Sequence, residues 1–258
     1  MFPTLFVSHG SPMLALTDSP ARTFLQHLGP TLGRPRAILV ASAHWETRTP
    51  LASAPAHNPT IHDFRGFPAA LYQLQYPAPG DPDLAARVTA LLDTAGLHAA
   101  TDPVRGLDHG AWVPLMLMYP DHDIPVIQLS VQPDLGPAHH LKLGHAIEKL
   151  RAENILVIGS GSFTHDLSRF RGQALDAPET PDVAAFADWF DRALTEGRTE
   201  DLLAYRRLAP HAAEEHPTEE HLLPIYVALG AAGPGAKAER LHSSTNYAIL
   251  RMDAYAFH

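Results

Sequence analysis

Histidine is the side chain in this sequence with the greatest capacity for chemistry. The chain has 17 histidines and no cysteine among its 258 residues. Three short apolar segments each run into a turn of small residues that carries one histidine, and these are His9, His44 and His165. Imidazole is the commonest metal ligand in proteins and an acid or base near neutral pH. If the three segments are neighbouring strands of one sheet, the three rings converge and can bind zinc, iron or copper.

Further histidines lie in suggestive surroundings. His109, in LDHGAW, stands at a glycine-rich helix start, and His221, in PTEEHLLP, is predicted in the first turn of a helix. His62 lies in the aromatic loop IHDFRGFP, which either walls a pocket for a planar substrate or packs as an irregular hydrophobic loop. Trp45 and Phe67 either flank the ring of an aromatic substrate or belong to the core.

The composition excludes several classes of protein and site. Without cysteine there is no disulfide scaffold, thiolate zinc site, iron–sulfur cluster or cysteine nucleophile. The formal net charge of −9 argues against a nucleic-acid-binding protein, which would carry a basic surface. The longest apolar run, at residues 111–119, contains a proline and is about half the length of a membrane span. The N-terminal residues lack the basic segment of a signal peptide, so we expect a cytoplasmic protein without membrane partners.

The elements that must position these histidines alternate between short apolar strands and amphipathic helices, which is typical of an α/β protein. We predict a single catalytic domain over residues 1–258, with a central, largely parallel sheet covered by helices on both faces. The predicted strands are 4–8, 37–41, 124–129, 155–158 and 247–255, and the predicted helices are 19–30, 81–96, 137–151, 182–196, 199–208 and 217–229. In open α/β sheets, ligands bind beyond the carboxyl ends of the strands, which is where the first three histidines stand.

Seven motifs in collinear order resemble those of the class III extradiol aromatic ring-opening dioxygenases, most closely the branch of the DOPA 4,5-dioxygenase type. The motifs are HGSP (9–12), SAHW (42–45), TIHDFRGFP (60–68), YPAPG (76–80), LDHGAW (107–112), GSxxH (161–165) and PTEEHLLP (217–224). Each motif alone is weakly specific, but together they extend over nearly the whole chain. The resemblance implies an enzyme that cleaves the ring of a catechol-type, DOPA-like substrate with O2. We expect a monomer or a small homo-oligomer.

The resemblance also implies one divalent metal per chain. Its ligands fall on His9, His44 and His221, with Glu219 and Glu220 beside the third of them. Iron(II) is expected for activity. A shell of three histidines is neutral, which also suits zinc(II) as the bound ion.

The remaining site residues complete the predicted active site. By resemblance, the catalytic acid–base histidine falls on His165 and a second substrate-side histidine on His109, and His165 is also a candidate fourth metal ligand. From their surroundings, His62, Trp45 and Phe67 are the candidates for contacts with the substrate.

Two other functions are compatible with a cluster of three histidines. A zinc-dependent hydrolase would use a zinc-bound water with a pKa of about 7. A non-catalytic metal-binding module would hold its ion in a closed shell of four protein ligands. Ring cleavage requires oxygen and hydrolysis does not, so the oxygen dependence of the reaction distinguishes the dioxygenase from the hydrolase.

Overall fold

The computed structural model describes residues 1–258 and contains ten strands. They are β1 (Thr4–Ser8), β2 (Ala37–Glu46), β3 (Leu51–Ser53), β4 (Ala100–Asp102), β5 (Val126–Val131), β6 (Ile155–Gly161), β7 (Ala238–His242), β8 (Thr245–Asn246), β9 (Leu250–Arg251) and β10 (Ala254–Phe257). Eight of them form one sheet in the order β4-β3-β5-β2-β6-β1-β10-β7, and β8 pairs with β9 separately.

The α-helices are α1 (Pro20–Leu32), α2 (Ala69–Tyr72), α3 (Pro82–Thr94), α4 (His109–Met118), α5 (Gly136–Ile147), α6 (Pro181–Thr195), α7 (Thr199–Leu203), α8 (Tyr205–Leu208), α9 (Ala212–Glu215) and α10 (Leu223–Ala232). Four short 3-10 helices lie at Pro12–Ala15, Pro133–Leu135, Glu148–Glu153 and Leu167–Arg169. Strands and helices therefore alternate along most of the chain, as predicted.

The centre of the sheet is parallel and its margins are mixed. β1 and β2 both run parallel to β6, and β2 also runs parallel to β5. β10 and β7 extend the β1 edge in antiparallel pairs, and β3 pairs with β5 in the same way. In register, Ser8 lies opposite Gly161 and Ser42 opposite Ser160, so β1, β6 and β2 reach the same edge of the sheet together. The predicted largely parallel sheet is confirmed.

Helices cover both faces of this sheet because its central strands are apolar on both sides. In β1, Leu5 and Val7 pack in the same core as α1 and α4, whereas Phe6 packs on the opposite side with α6 and α10. Leu39 of β2 also faces that second side, in a core shared with α3 and α5. The alternation of neighbouring side chains in a strand produces this division.

The most apolar helices, α4 and α10, are buried in these cores. Each has ten residues, about half of the roughly 20 that a membrane span requires. No helix of the structure combines the length and the apolar character needed to cross a bilayer.

Several predicted boundaries are wrong for identifiable reasons. Helix α1 continues through Gly29 to Leu32, because Gly29 is a site of close packing against the backbone of Met118 rather than the end of the helix. The predicted helix 199–208 is divided into α7 and α8. The predicted strand 247–255 is likewise divided, into β9 and the start of β10.

The predicted helix 217–229 begins six residues later than expected, at Leu223, so His221 lies in a turn and not in a helix. The carbonyl oxygen of His221 accepts the N–H of Ser162, which follows β6, at 2.9 Å. In an α-helix that included His221, this carbonyl would accept the N–H of Ile225. Here it bonds to Ser162, and the N–H of Ile225 donates to the carbonyl of Leu222 instead.

Candidate metal centre and substrate cavity

Three imidazole nitrogens from distant parts of the chain meet at the carboxyl edge of the sheet. The Nε2 atoms of His9 and His44 are 2.9 Å apart, and those of His44 and His221 are 3.3 Å apart. His9 and His221 are buried, and His44 is nearly so. The structure therefore brings together the three residues that were expected to bind a metal.

Each ring is positioned by a different element. His9 follows β1, and its N–H donates to the carbonyl of Gly161 at 2.9 Å, which prolongs the pairing of β1 with β6. His44 lies inside β2, which continues beyond the predicted end at Ala41. His221 lies in the turn before α10 and reaches the sheet through its bond to Ser162.

Two glycines of β6 explain how that turn approaches the sheet. A Cβ atom on Gly161 would lie 1.9 Å from the carbonyl oxygen of His221, and one on Gly159 would lie 2.1 Å from that of Pro224. Both distances are far inside van der Waals contact, so only glycine permits this packing at either position. The GSG sequence at the end of β6 thus places His221 beside the two other rings.

Gly161→Ala is expected to displace the turn that carries His221, because the clash is with backbone and not with a flexible side chain. The free energy of unfolding should fall by about 1–3 kcal/mol, and metal affinity should fall with it. Gly172→Ala is the control, since that glycine has a φ of +81° but open space around it, and it should cost about 1 kcal/mol without changing metal affinity. Urea unfolding and a zinc titration measure both quantities. Equal effects of the two variants would contradict this packing role.

The hydrogen bonds of His9 fix its tautomer. Its Nδ1 is 3.0 Å from the hydroxyl oxygen of Ser160, and that hydroxyl donates its own hydrogen to the carbonyl of Gly110. Ser160 can therefore only accept from His9, so Nδ1 carries the proton. The Nε2 of His9 is left with a free lone pair that faces His44.

A hydrogen bond to a carboxylate gives His221 the same tautomer, and a carboxylate near Nδ1 of His44 favours it there. Nδ1 of His221 donates to Glu220 at 2.8 Å, and Nδ1 of His44 is 3.5 Å from Oδ2 of Asp63. Burial would raise the pKa of the Glu220 carboxyl, but its hydrogen bonds with His221 and Thr218 lower that pKa to about 2. Glu220 is thus a pure acceptor, and the Nε2 lone pair of His221 is free.

The three rings are electrically neutral at neutral pH. Desolvation lowers the pKa of His9 and of His221 well below the ordinary value, with further lowering by the neighbouring histidines. Desolvation and the proximity of His109 lower the pKa of His44 to about 4. A neutral imidazole is the form that binds a metal.

This donor set fits a divalent cation. Three lone pairs directed at one another repel, and no N–H of the protein lies between them to relieve the repulsion. Two nitrogens that are each about 2.1 Å from one cation, at an angle of about 90–109°, lie about 3.0–3.4 Å apart. The observed separations of 2.9 and 3.3 Å are close to this range. The geometry suits one ion held by three histidines.

His109 stands next to this centre at the start of α4, where the sequence predicted it. Its Nδ1 donates to Oδ2 of Asp63 at 2.9 Å, and its backbone N–H donates to Oδ1 at 2.9 Å. Its ring centroid is 3.9 Å from that of His44. Sequence reasoning missed Asp63, although the HD pair inside the motif TIHDFRGFP was a signal that could have found it.

A buried network joins the strand of His44 to the helix of His109. Asp108 is fully buried and accepts from Ser42 at 2.7 Å, from the side chain of Gln128 at 2.7 Å and from Arg105 at 2.8 Å. These bonds tie β2 and β5 to the start of α4. Asp108 was quoted only within a motif, and the sequence alone did not indicate its partners.

His165 lies in the loop after β6, where its ring is next to that of His221. The two rings stack with centroids 3.4 Å apart and an angle of 9° between their planes. The ring of His165 makes no hydrogen bond to the protein, and burial lowers its pKa. The loop is held at its backbone, where the N–H of His165 donates to the carbonyl of Glu215 at 2.8 Å. His165 is not among the three converging nitrogens, and it groups instead with Glu220 and His221.

A cavity of about 390 Å³ opens beside these histidines. His44, His109, His165 and His221 line it on one side. Its other walls are mainly apolar and include Met13, Phe64, Phe67, Phe170, Ile249 and Leu250. A planar aromatic molecule could therefore reach the convergent nitrogens while its faces contact apolar side chains.

Two of the three residues expected to contact a substrate lie away from this cavity. Trp45 follows His44 in β2 and does not line the cavity, and the guanidinium of Arg105 lies 5.2 Å from its ring centroid. The Nε2–H of His62 donates to the carbonyl of Leu74 at 3.0 Å, and the ring packs against Phe64. Phe67 does line the cavity.

The site is open and not closed. Only three ligand atoms converge, and two of their rings, those of His44 and His221, line the cavity, whereas a structural zinc site is enclosed by four protein ligands. The arrangement can hold a cation that has positions left for small molecules, with two further histidines beside them.

Comparisons with known proteins show the family of this chain. Residues 3–258 match the family described as the catalytic LigB subunit of aromatic ring-opening dioxygenase. A relative from Beta vulgaris named 4,5-DOPA dioxygenase extradiol is 49% identical over 98% of this chain and 96% of its own length. A relative from Escherichia coli K12 with the same name is 41% identical over 89% of this chain and 84% of its own length.

A solved structure supports the fold independently. The crystal structure of an uncharacterised Escherichia coli K12 protein superposes on this chain with a TM-score of 0.82. The two chains are 32% identical, and the superposition covers 100% of each.

Proposed function

The chain belongs to the family of the catalytic LigB subunit of aromatic ring-opening dioxygenase and is a metal-dependent extradiol dioxygenase, and we propose that it works with iron(II) bound by His9, His44 and His221. The observation that carries this proposal is the convergence of three Nε2 atoms, each in a ring whose Nδ1 faces a hydrogen-bond acceptor or a carboxylate. The residues that build the site extend from His9 to Leu250, so we also propose that residues 1–258 form a single catalytic domain.

The metal should be iron(II) for activity, while zinc(II) fits the same ligands. Neutral imidazoles bind both ions well, and geometry and availability decide between them more than affinity does. When bound, iron(II) supplies the redox chemistry that allows dioxygen to react with a catechol. Zinc(II) has no accessible second oxidation state, so a zinc-loaded enzyme should bind the catechol without opening its ring.

The substrate is a catechol-type molecule together with O2. Phe64 and Phe67 form apolar walls on which an aromatic ring can pack. The relatives named 4,5-DOPA dioxygenase extradiol favour DOPA or a related diol as that substrate. An aromatic ring in this cavity would displace water from its apolar walls, and this would strengthen the polar contacts made by the histidines.

Two histidines beside the metal ligands can act on the substrate, one by moving protons and the other by orienting the ring. Neither ring nitrogen of His165 is used by the protein, so one of them can take the proton of a catechol hydroxyl and later return a proton to the ring-opened product. Nδ1 of His109 is committed to Asp63, which leaves Nε2 for a hydrogen bond to the substrate. His165 thus acts as the acid–base residue and His109 orients the ring. His165 acts in this scheme without being a fourth metal ligand.

The test is reconstitution of the metal-free protein with iron(II) under anaerobic conditions, followed by a catechol such as DOPA and then oxygen. We expect a yellow semialdehyde product and uptake of about one O2 per catechol consumed, because both oxygen atoms enter the product. The zinc-loaded protein, prepared in parallel, should give neither signal. Flat oxygen uptake with every catechol tried would overturn the proposal. Hydrolysis of esters by the zinc form without oxygen would favour the hydrolase instead.

A further inference from the structure

One carboxylate, Asp63, lies between a proposed metal ligand and a proposed substrate-binding histidine. Its Oδ2 is 2.9 Å from Nδ1 of His109 and 3.5 Å from Nδ1 of His44. Its Oδ1 accepts the backbone N–H of His109 at 2.9 Å. Glu220 is the other carboxylate of the site that lies near two imidazoles, those of His165 and His221.

Asp63 also takes the place of a helix cap. Asp108 precedes α4 at the N-cap position, but its carboxylate makes no capping bond because Ser42, Gln128 and Arg105 occupy it. Asp63 reaches in from a separate loop and accepts the first N–H of the helix instead. An anionic group at a helix N-terminus is electrostatically favourable, so the helix helps to hold Asp63 in place.

The loop that carries Asp63 is anchored on both sides of the helix start. The N–H of Ile61 donates to the carbonyl of Leu107 at 2.8 Å, and the indole of Trp112 donates to the carbonyl of Ile61 at 3.0 Å. The Asp63 side chain is only 20% exposed. Its carboxylate therefore has a defined position relative to both rings.

We propose that Asp63 is a positioning residue that sets the tautomers of His44 and His109 together, so that metal binding and substrate orientation depend on the same carboxylate. An ionised carboxylate only accepts hydrogen bonds, so His109 donates its Nδ1–H to Asp63 at 2.9 Å. The same negative charge, 3.5 Å from Nδ1 of His44, favours the tautomer of His44 that carries its proton on Nδ1. The Nε2 of His44 is then free for the metal, and the Nε2 of His109 is free for the substrate. This inference rests on the proposed function for the role of His109, whereas the effect on His44 concerns metal binding alone.

The decisive variant is Asp63→Asn, which keeps the shape of the side chain and removes its charge. An amide has one oxygen and one NH2 group, so it cannot accept from the N–H of His109 and also from both Nδ1 atoms. If the amide oxygen faces the two rings, the first N–H of α4 loses its acceptor. If the oxygen instead accepts that N–H, the NH2 group, which is a donor, faces the two rings. Outer partners of metal-bound histidines are typically worth about 10–100-fold in metal affinity, and we expect a loss of zinc(II) affinity in this range. Competition with a chromophoric chelator measures it without any catalytic assay.

A second readout separates positioning from mere stability. Nitrogen NMR of the zinc-loaded protein reports which ring nitrogen carries the proton, and both histidines should have Nδ1–H in the unmodified protein. In Asp63→Asn, His109 should shift to a mixture of tautomers. Asp121→Asn, at an exposed position, is the control and should change neither the affinity nor the spectra.

A third variant tests whether one carboxylate serves both rings. In a His109→Ala background, Asp63→Asn should still weaken zinc(II) binding, because the contact with His44 remains. If Asp63→Asn lowers only the melting temperature while zinc(II) affinity and tautomers stay unchanged, Asp63 is a helix cap alone and the inference is wrong. If zinc(II) affinity falls as expected but the iron form cleaves no catechol, the positioning role stands and the proposed function fails.

Discussion

His9→Ala is expected to abolish ring cleavage because the protein loses its metal. The variant removes one of the three Nε2 atoms, each of which lies within 3.3 Å of another. The two imidazoles that remain bind a metal much more weakly than three. Loss of an outer partner costs about 10–100-fold in metal affinity, so loss of a direct ligand should exceed that range. Metal content after dialysis, a chelator competition and oxygen uptake with iron(II) and a catechol measure the effect.

The fold should survive this substitution. The bond from Nδ1 of His9 to Ser160 is lost, which costs about 1 kcal/mol, but the mutual repulsion of three lone pairs is also relieved. Circular dichroism and urea unfolding should therefore remain close to those of the unmodified protein. His57→Ala, at an exposed position outside the site, is the matched control and should keep full metal content. A His9→Ala protein that keeps stoichiometric iron and turns over normally would remove His9 from the ligand set.

The convergence of His9 and His44 could be predicted because it depends on local rules. Continuous apolar runs indicate strands buried on both faces, and adjacent parallel strands bring their carboxyl ends to one edge of the sheet. Thr4–Ser8 was predicted with the observed bounds, and β2 and β6 were predicted at the correct starts. The pairing of β1 and β2 on either side of β6 then brings the two rings together.

The place of His221 could not be derived in this way. It lies far along the chain from β6 and reaches the centre through a backbone contact that Gly159 and Gly161 permit. The proline and the acidic residues before it are also the usual signals for a helix start. That is why a helix was predicted at Pro217, while the bond from Ser162 to the His221 carbonyl delays the helix to Leu223. Only the resemblance to a family indicated His221 as a ligand.

Strand geometry also bears on the place of Trp45, which does not line the cavity. His44 and Trp45 are neighbours in sequence, and both are chemically suited to a site for an aromatic substrate. β2 extends to Glu46, and side chains alternate along a strand, which favours one of the pair facing the cavity, although the register of β2 against β5 is irregular between Ala41 and Glu46. The shorter predicted strand, which ended at Ala41, left both residues in a loop and gave no reason to separate them.

His165→Ala is expected to retain the metal and lose most of the activity. The ring of His165 is stacked on His221 and lines the cavity, but its nitrogens do not converge with the other three. Removing a general acid–base group typically lowers kcat by about 10²–10⁴-fold, and we expect a loss in this range with iron content unchanged. Steady-state kinetics with a catechol, together with iron analysis of the same sample, give both numbers.

A second substitution separates proton transfer from packing. His165→Gln fills much of the same space against His221 and can form hydrogen bonds, but it cannot exchange a proton near neutral pH. It should therefore be about as inactive as His165→Ala, whereas a purely steric role predicts substantial recovery. Loss of the metal from both variants would instead identify His165 as a fourth ligand. Because its ring lies 3.4 Å from that of His221 in a nearly parallel stack, and not edge-on to a shared point, we expect the metal to stay and the proton transfer to fail.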